Sequence, residues 1–408
     1  MTIKNLDKKI KAYALKNAIH YEGKANPGAV LSALFNEGLD KSEVKEIMPK
    51  INEVIKEISK LSLDKQEREF EKLKEIVSER EHREGLPELP DVPKSGVIMR
   101  FAPAPSGALH VGHAVSNVIS SLYVKKYGGK FYVRIEDTNP EKTDINAYNS
   151  LVEDCDWLFG NVHEYIIQSD RMDIYYGYAV SLIEKSKAYV CTCSQEEFKK
   201  FAESKKDCPC RKKDVKANIK DWEKMLNKKG FKEGEAVLRF KSDMKHPNPA
   251  MRDFPLARIN LTEHPRQGKK YRVWPLMNLA VPVDDIEYGM THIIRGKDHM
   301  DNAKRQEMFY QVFDKKFPWT FFMGRIKFSD MKLGKRHIKA SIEAGEFSGW
   351  DDEKLPTISS LRKRNFNPEA FAKFSEQRGL TDVDKVMSSK DFFQIIEKFT
   401  KELSKTEE

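Results

Sequence analysis

Apolar and polar positions follow two different rhythms along this chain. Up to about residue 85 the spacing is helical. Ile10, Tyr13, Ala14, Asn17 and Ala18 fall on one face, as do Val44, Ile47, Ile51, Val54 and Ile55. Asn26-Pro27-Gly28 separates the first helix from the next. Leu63 to Arg83 is dense in Lys, Arg and Glu with few apolar positions, which predicts one long solvated helix. Gly85 to Pro93, with three prolines, reads as a stiff linker and a domain boundary.

Beyond it the rhythm becomes βαβ. Gly96 to Arg100 predicts a buried strand, and Ala108 to Tyr127 a helix. Gly128-Gly129 ends that helix, and Lys130 to Ile135 is the next strand. Helices follow at Asn146–Phe159 and Met172–Lys187. Residues 190–270 are basic and broken. They follow the short strand Ala188–Cys191 and contain a helix at Asp221–Lys228 and strands at Gly234–Phe240 and Leu256–Asn260. The sheet rhythm returns at Val273 and at Thr291–Arg295, followed by a helix over 300–313 and a small helical tail. This order predicts an α/β fold with a parallel, doubly wound sheet and ligands at the strand carboxyl ends.

A chain of 408 residues is too long for one core, so two or three domains are expected. The net charge of +9 suits a polyanionic partner and equally a solubilising surface. No apolar run approaches membrane-spanning length and Met1-Thr-Ile-Lys-Asn is no secretory leader, so the expected location is the cytoplasm, away from membranes. Four of the five cysteines form two close pairs, Cys191-x-Cys193 and Cys208-x-Cys210. Such pairs suit a tetrahedral thiolate site for Zn²⁺, with four reduced thiols as the alternative. Cys155 reads as a core residue.

The densest chemistry lies in Arg100-Phe-Ala-Pro-Ala-Pro-Ser-Gly-Ala-Leu-His-Val-Gly-His113. Pro103 and Pro105 bar a helix before Ser106. His110 and His113, three apart, share one face of a first helical turn whose free N–H groups attract phosphate. The chain has no GxxxxGK[ST] and no GxGxxG, so a nucleotide site here is of another type. Lys332-Leu-Gly-Lys-Arg336 adds a second basic element able to reach phosphates.

Together these segments resemble a class I glutamyl-tRNA synthetase of the archaeal–eukaryotic kind. His110-Val-Gly-His113 matches the first class signature and Lys332-Leu-Gly-Lys-Arg336 a divergent second one. Arg134-Ile-Glu-Asp-Thr-Asn-Pro140, Gly289 to His299, Ala14 to His20 and Gly23 to Gly28 match further collinear segments. The resemblance implies a Rossmann-type core with an inserted acceptor-binding domain. It divides the chain into an N-terminal helical extension (1–90), a first core half (96–188), the insert (189–272), a second core half (273–325) and a lysine-motif loop with a stem-contact helical domain (326–408). It implies activation of L-glutamate by ATP with Mg²⁺ to glutamyl-adenylate, then transfer to the acceptor end of tRNA(Glu).

In that reading His110, His113, Lys332 and Lys335 are catalytic, and with Gly112 they hold ATP. Arg100, Ser106, Glu136 and Arg295 bind glutamate. His299 lies nearby, and Arg134 and Asp137 are either a structural ion pair or ligand contacts. Cys191, Cys193, Cys208 and Cys210 hold the metal. Arg211 to Lys213, Lys228-Lys229 and Arg266 to Arg272 supply cations for RNA phosphates. The N-terminal helical region is expected to dock a protein partner. Met277 and Asn278 stand where many relatives have an aromatic residue and then Asp or His. The resemblance also implies anticodon-reading β-barrels, and no strand-rich tail precedes Glu408, so weakened anticodon discrimination is expected. The alternatives are a paralogue that moves activated glutamate to a modified tRNA base, a non-catalytic tRNA-binding module, and activity toward glutamine.

Overall fold

The computed structural model describes residues 4–21, 23–77, 85–331 and 333–405. The chain divides into two compact units, residues 1–83 and 84–408.

The first unit is helical. Asn26 accepts from the Gly28 N–H at 2.8 Å and caps helix Pro27–Asn36, where Pro27 needs no N–H donor. Helices Leu6–His20 and Val44–Ile58 bury Ile10, Ala14, Leu15, Ile47 and Ile51 against Val30 and Leu34. The long helix expected over 63–83 is instead short. It runs Leu63–Glu71 and yields to a 3-10 turn at Lys74–Ile76. Leu73, Ile76 and Val77 thereby turn into the apolar core, and their burial overrides a mainly polar helical pattern. Residues 78–84 lie outside the described residues.

The second unit is built on parallel strands. Val97–Phe101 pairs with Gly129–Ile135, which pairs with Glu164–Ile167. His292–Gly296 pairs with Trp319–Met323 in the same sense. The two groups meet where the Thr291 N–H donates to the Ile98 carbonyl at 3.0 Å and the Ile98 N–H to Thr291 Oγ1 at 2.9 Å. Val97–Phe101 and His292–Gly296 are therefore neighbours, and their carboxyl ends adjoin at the point where the strand order reverses. Helix Val111–Tyr127 covers these strands with Val111, Ala114, Val115 and Val118. It starts later than the expected Ala108, because residues 108–110 form the loop that ends in an extended His110 cap.

Other expectations change as well. Gly85 to Pro93 is no free linker. Leu86 and Leu89 are buried, Tyr123 donates to the Pro87 carbonyl at 2.9 Å, and the Leu89 N–H donates to Tyr127 at 2.9 Å. The strand at Val273 does not rejoin the parallel sheet. Val273–Pro275 closes a four-stranded antiparallel sheet after Ala188–Cys191, Val237–Phe240 and Pro255–Ile259. The helix expected at 221–228 is Val215–Leu226, capped by Asp214, which accepts from the Ala217 N–H at 2.7 Å. The tail packs Phe371, Phe392 and Ile396 into the same apolar cluster as the first strand. Among the described residues no helix is long and apolar enough to cross a membrane.

The turn into Gly129–Ile135 needs glycine. At Gly129 φ is +112°, and a Cβ would stand 2.1 Å from the Val97 carbonyl oxygen. Gly129→Ala should therefore cost about 2–3 kcal/mol in urea unfolding. Gly177→Ala, inside helix Met172–Glu184 with open space around it, should instead stabilise by about 0.5–1 kcal/mol.

Candidate active site

The histidine motif sits at the carboxyl end of the first strand. Segment 356–358 clamps it: the Val111 N–H donates to the Pro356 carbonyl at 3.0 Å, and the Ile358 N–H to the Leu109 carbonyl at 2.9 Å. Gly107 lies beneath Trp350. With φ at +135° and the indole 2.7 Å from where a Cβ would stand, only glycine lets the loop pass. The His110 and His113 rings stack at 3.8 Å. His113 Nδ1 accepts from the His110 backbone N–H at 3.2 Å, which leaves its Nε2 as the outward donor. Burial lowers His110 to about 4, and the Lys335 charge adds to this. Burial, then His110 and Lys335, hold His113 well below the usual histidine range. Both rings are thus neutral donors at physiological pH rather than cations.

Lys335 opens helix Lys335–Glu343 and crosses to the first motif, donating to the Ala104 carbonyl at 3.1 Å. Burial brings its ammonium down to about 8. Lys332 lies outside the described residues. A cavity of about 730 Å³ opens here, lined by His110, Gly112, His113, Arg295, Lys327 and Gly334 among others. Ser106 is not part of that lining.

Arg295 also borders a cluster of buried charge. Arg100, 6 % exposed, donates from Nε to Asp285 Oδ1 at 3.0 Å and from Nη2 to Oδ2 at 3.4 Å. Arg134 donates to the same Asp285 at 2.5 Å and to Glu136 at 3.0 Å. Asp284 accepts from Arg171, Gln168 and Tyr175, each at 2.8 Å. Burial raises Asp285, but Arg100 and Arg134 outweigh it and hold the carboxyl at about 2. Arg295 is pulled down to about 10, first by burial and then by repulsion from Arg100. Burial and Arg295 also lower His299. Four guanidinium groups thus meet at most three carboxylates, Asp284, Asp285 and Glu136. The imbalance leaves room for one anionic ligand group.

This cluster corrects one expectation. Arg134 does not pair with Asp137. Asp137 accepts from Ser169 N–H and Oγ at 2.7 Å and from Tyr148 at 2.6 Å, while Arg134 is held by Asp285 and Glu136, so the ion-pair alternative falls away. Asp284 and Asp285 escaped notice in the sequence. Two adjacent acids inside the apolar run Leu279 to Ile286 were the available signal, since acids are rarely buried unless paired.

Residues 96–402 match the family model described as tRNA synthetases class I (E and Q), catalytic domain. The chain belongs to this family. The glutamate–tRNA ligase of Methanocaldococcus jannaschii is 45 % identical over 391 residues, covering 96 % of this chain and 70 % of that one. The glutamate–tRNA ligase of Thermococcus onnurineus is 42 % identical over 396 residues, covering 94 % and 68 %. The crystal structure of a glutamate-tRNA synthetase from Elizabethkingia anophelis shares the fold, with a TM-score of 0.50 at 20 % identity, over 74 % of this chain and 69 % of that one. The α/β, Rossmann-type architecture of this synthetase chain agrees with that likeness.

Met277 and Asn278 lie at the start of the helix that carries Asp284 and Asp285. Met277 opens helix Met277–Glu287, and Asn278 is buried with its Oδ1 unpartnered among the described residues. The four paired cysteines converge where the end of strand Ala188–Cys191 meets the turn at 208–212. Their sulfurs all lie within 4.8 Å of one another, with Cys191–Cys208 at 3.9 Å and Cys193–Cys210 at 3.8 Å. Metal–sulfur bonds of about 2.3 Å in a tetrahedron give sulfur separations of roughly 3.8 Å.

Behind the histidine loop, Asp154 is fully buried and meets no side-chain hydrogen bond among the described residues, with only weak support from the Leu109 backbone N–H. Arg362 approaches to 3.7 Å but is also held by Glu153 at 2.9 Å. Burial, only partly offset by Arg362, raises Asp154 to about 7. The folded state therefore binds more protons than the unfolded state, and this group's contribution to stability falls as pH rises from about 4 to about 7. Asp154→Asn should remove that decline and stabilise the protein by roughly 2 kcal/mol at pH 8, measured by urea unfolding across pH.

Proposed function

We propose that this chain activates L-glutamate with ATP and transfers it to the 3′ end of tRNA(Glu). The observation that carries this reading is the uncompensated positive charge of Arg295, set beside Arg100 and a cavity edged by two neutral histidines and Lys335. The amino-acid side chain that completes this balance is a carboxylate. The relatives named above, from Methanocaldococcus jannaschii and Thermococcus onnurineus, support the same reading and its archaeal character.

Glutamate places its side-chain carboxylate against Arg100 and Arg295 and its ammonium toward Glu136, with Ser106 as a further hydroxyl contact. Its α-carboxylate attacks the α-phosphorus of ATP, the bond to pyrophosphate breaks, and glutamyl-adenylate forms. The terminal ribose hydroxyl of tRNA then attacks the activated carbonyl and releases AMP. Because the nucleophile of the first step is already ionised, the site needs no general base there. His110 and His113 donate N–H bonds to the phosphates, with Gly112 letting the nucleotide approach, and Lys335 with Lys332 holds the departing pyrophosphate. Mg²⁺ enters with the ATP.

The antiparallel sheet region faces the acceptor end in this reading. Several of its cations are already engaged: Arg211 by Asp253, Lys213 by Asp221 and Arg266 by Asp170. Exposed Lys228 and Lys229 carry the phosphate contacts instead. Cys191, Cys193, Cys208 and Cys210 would hold a zinc ion that would cross-link that region, and the Thr192 N–H, 3.4 Å from Cys210 Sγ, would steady one thiolate.

Amino-acid-dependent exchange of pyrophosphate into ATP, assayed with and without tRNA, should appear with glutamate when tRNA is present, and Lys335→Ala should lower its kcat at least about a hundredfold. Absence of glutamate-dependent exchange in the presence of tRNA would overturn the reading. Metal analysis of the purified protein should find about one zinc per chain, lost in Cys208→Ser; a metal-free, fully folded wild type would remove the metal assignment.

A further inference from the structure

Three polar groups beside the charge cluster have no hydrogen-bond partner among the described residues: Arg295 Nε, Gln306 Nε2 and the Tyr310 hydroxyl. Gln306 is 1 % exposed and Tyr310 3 % exposed. Unpaired polar groups at that depth are uncommon, and each costs about 1–3 kcal/mol unless something meets it. Gln306 and Tyr310 are four residues apart on helix Met300–Val312, so they share a face. That face looks onto the cluster. Gln306 Oε1 accepts from Arg295 Nη1 at 2.7 Å, and Tyr310 lies within electrostatic reach of Asp285, Arg100 and Arg134.

The chemical identity of the group on Arg295 matters. A guanidinium held at one Nη by a neutral amide oxygen is fixed in rotation, keeps its full charge, and leaves Nε free for a planar anion. A carboxylate in the same place would orient it equally well but cancel the one positive charge the cluster has in excess. Arg100 cannot compensate, because two of its nitrogens are already committed to Asp285.

We propose that Gln306 is a positioning residue that aims Arg295 at the side-chain carboxylate of the amino-acid substrate, and that its neutral amide keeps the pocket selective for a carboxylate over a carboxamide. This rests on the glutamate reading above, and the experiment separates the two. Gln306→Glu keeps the shape and adds the cancelling charge. Gln306→Met keeps the length, removes the acceptor, and also removes the orphaned Nε2, so it should fold without penalty. Calorimetric titration with glutamate, glutamine and ATP, alongside pyrophosphate exchange, reads both.

Gln306→Glu should weaken glutamate at least about tenfold and reduce the glutamate-over-glutamine preference by the same factor. Gln306→Met should weaken glutamate about fivefold, with ATP affinity in both variants within about twofold of wild type. Unchanged glutamate affinity and preference overturn the proposal. So does a loss that extends equally to ATP and accompanies a lowered Tm, which marks a merely structural role. Wild type that binds glutamate with these variant effects yet shows no exchange supports the role of Gln306 and overturns the activity. Wild type that binds no glutamate overturns both.

Discussion

Asp285 is the constraint on which the amino-acid side of this site depends. Its carboxylate lies on a helix from the second half of the core and takes hydrogen bonds from Arg100 and Arg134, which end two strands of the first half. A single buried acid thus ties the halves together at the point where their strand order reverses. The desolvation of so many charges is tolerable only because each is met by an opposite one. The exception is Arg295, whose charge has no protein counter-ion of its own within hydrogen-bonding range among the described residues. The stability of the cluster and its appetite for an anion are two readings of the same imbalance.

The phosphate side works differently. It gains its donors from neutral groups: stacked imidazoles pressed out of their charged state by burial and by a nearby ammonium. Positive charge there comes from Lys335, which sits on a separate segment and reaches the loop by one contact to a backbone carbonyl. Cation and donors therefore arrive from different parts of the chain, and their alignment depends on the 344–358 segment, where Trp350 covers Gly107 and the Pro356 carbonyl holds Val111.

Much of this was legible in the residues. The strand, proline-stiffened turn and paired histidines of 97–113 share one local logic, and local logic survives folding. The cysteine pairs are legible for the same reason, because two short spacings need only one encounter to bring four thiols together. What escaped was non-local. Asp285 and Gln306 gain their meaning from Arg100 and Arg295, and no spacing within either helix announces that meeting. Val273–Pro275 is ambiguous in the sequence because three residues carry too little pattern to distinguish an antiparallel edge from a parallel core. The 63–83 pattern suggests too long a helix because composition describes a solvated surface but not the few apolar residues that turn inward.

The strap from Leu86 to Leu89 bears on how such a protein is divided. It lies against helix Val111–Tyr127, fastened by Tyr123, Tyr127 and Lys126. The natural seam of the molecule therefore precedes the strap rather than following it. A proteolytic cut between Pro93 and Gly96 would sever the chain yet leave the strap seated. An exchange of the N-terminal unit at that same place would strip the strap from helix Val111–Tyr127, whereas a joint upstream of Leu86 keeps the two together.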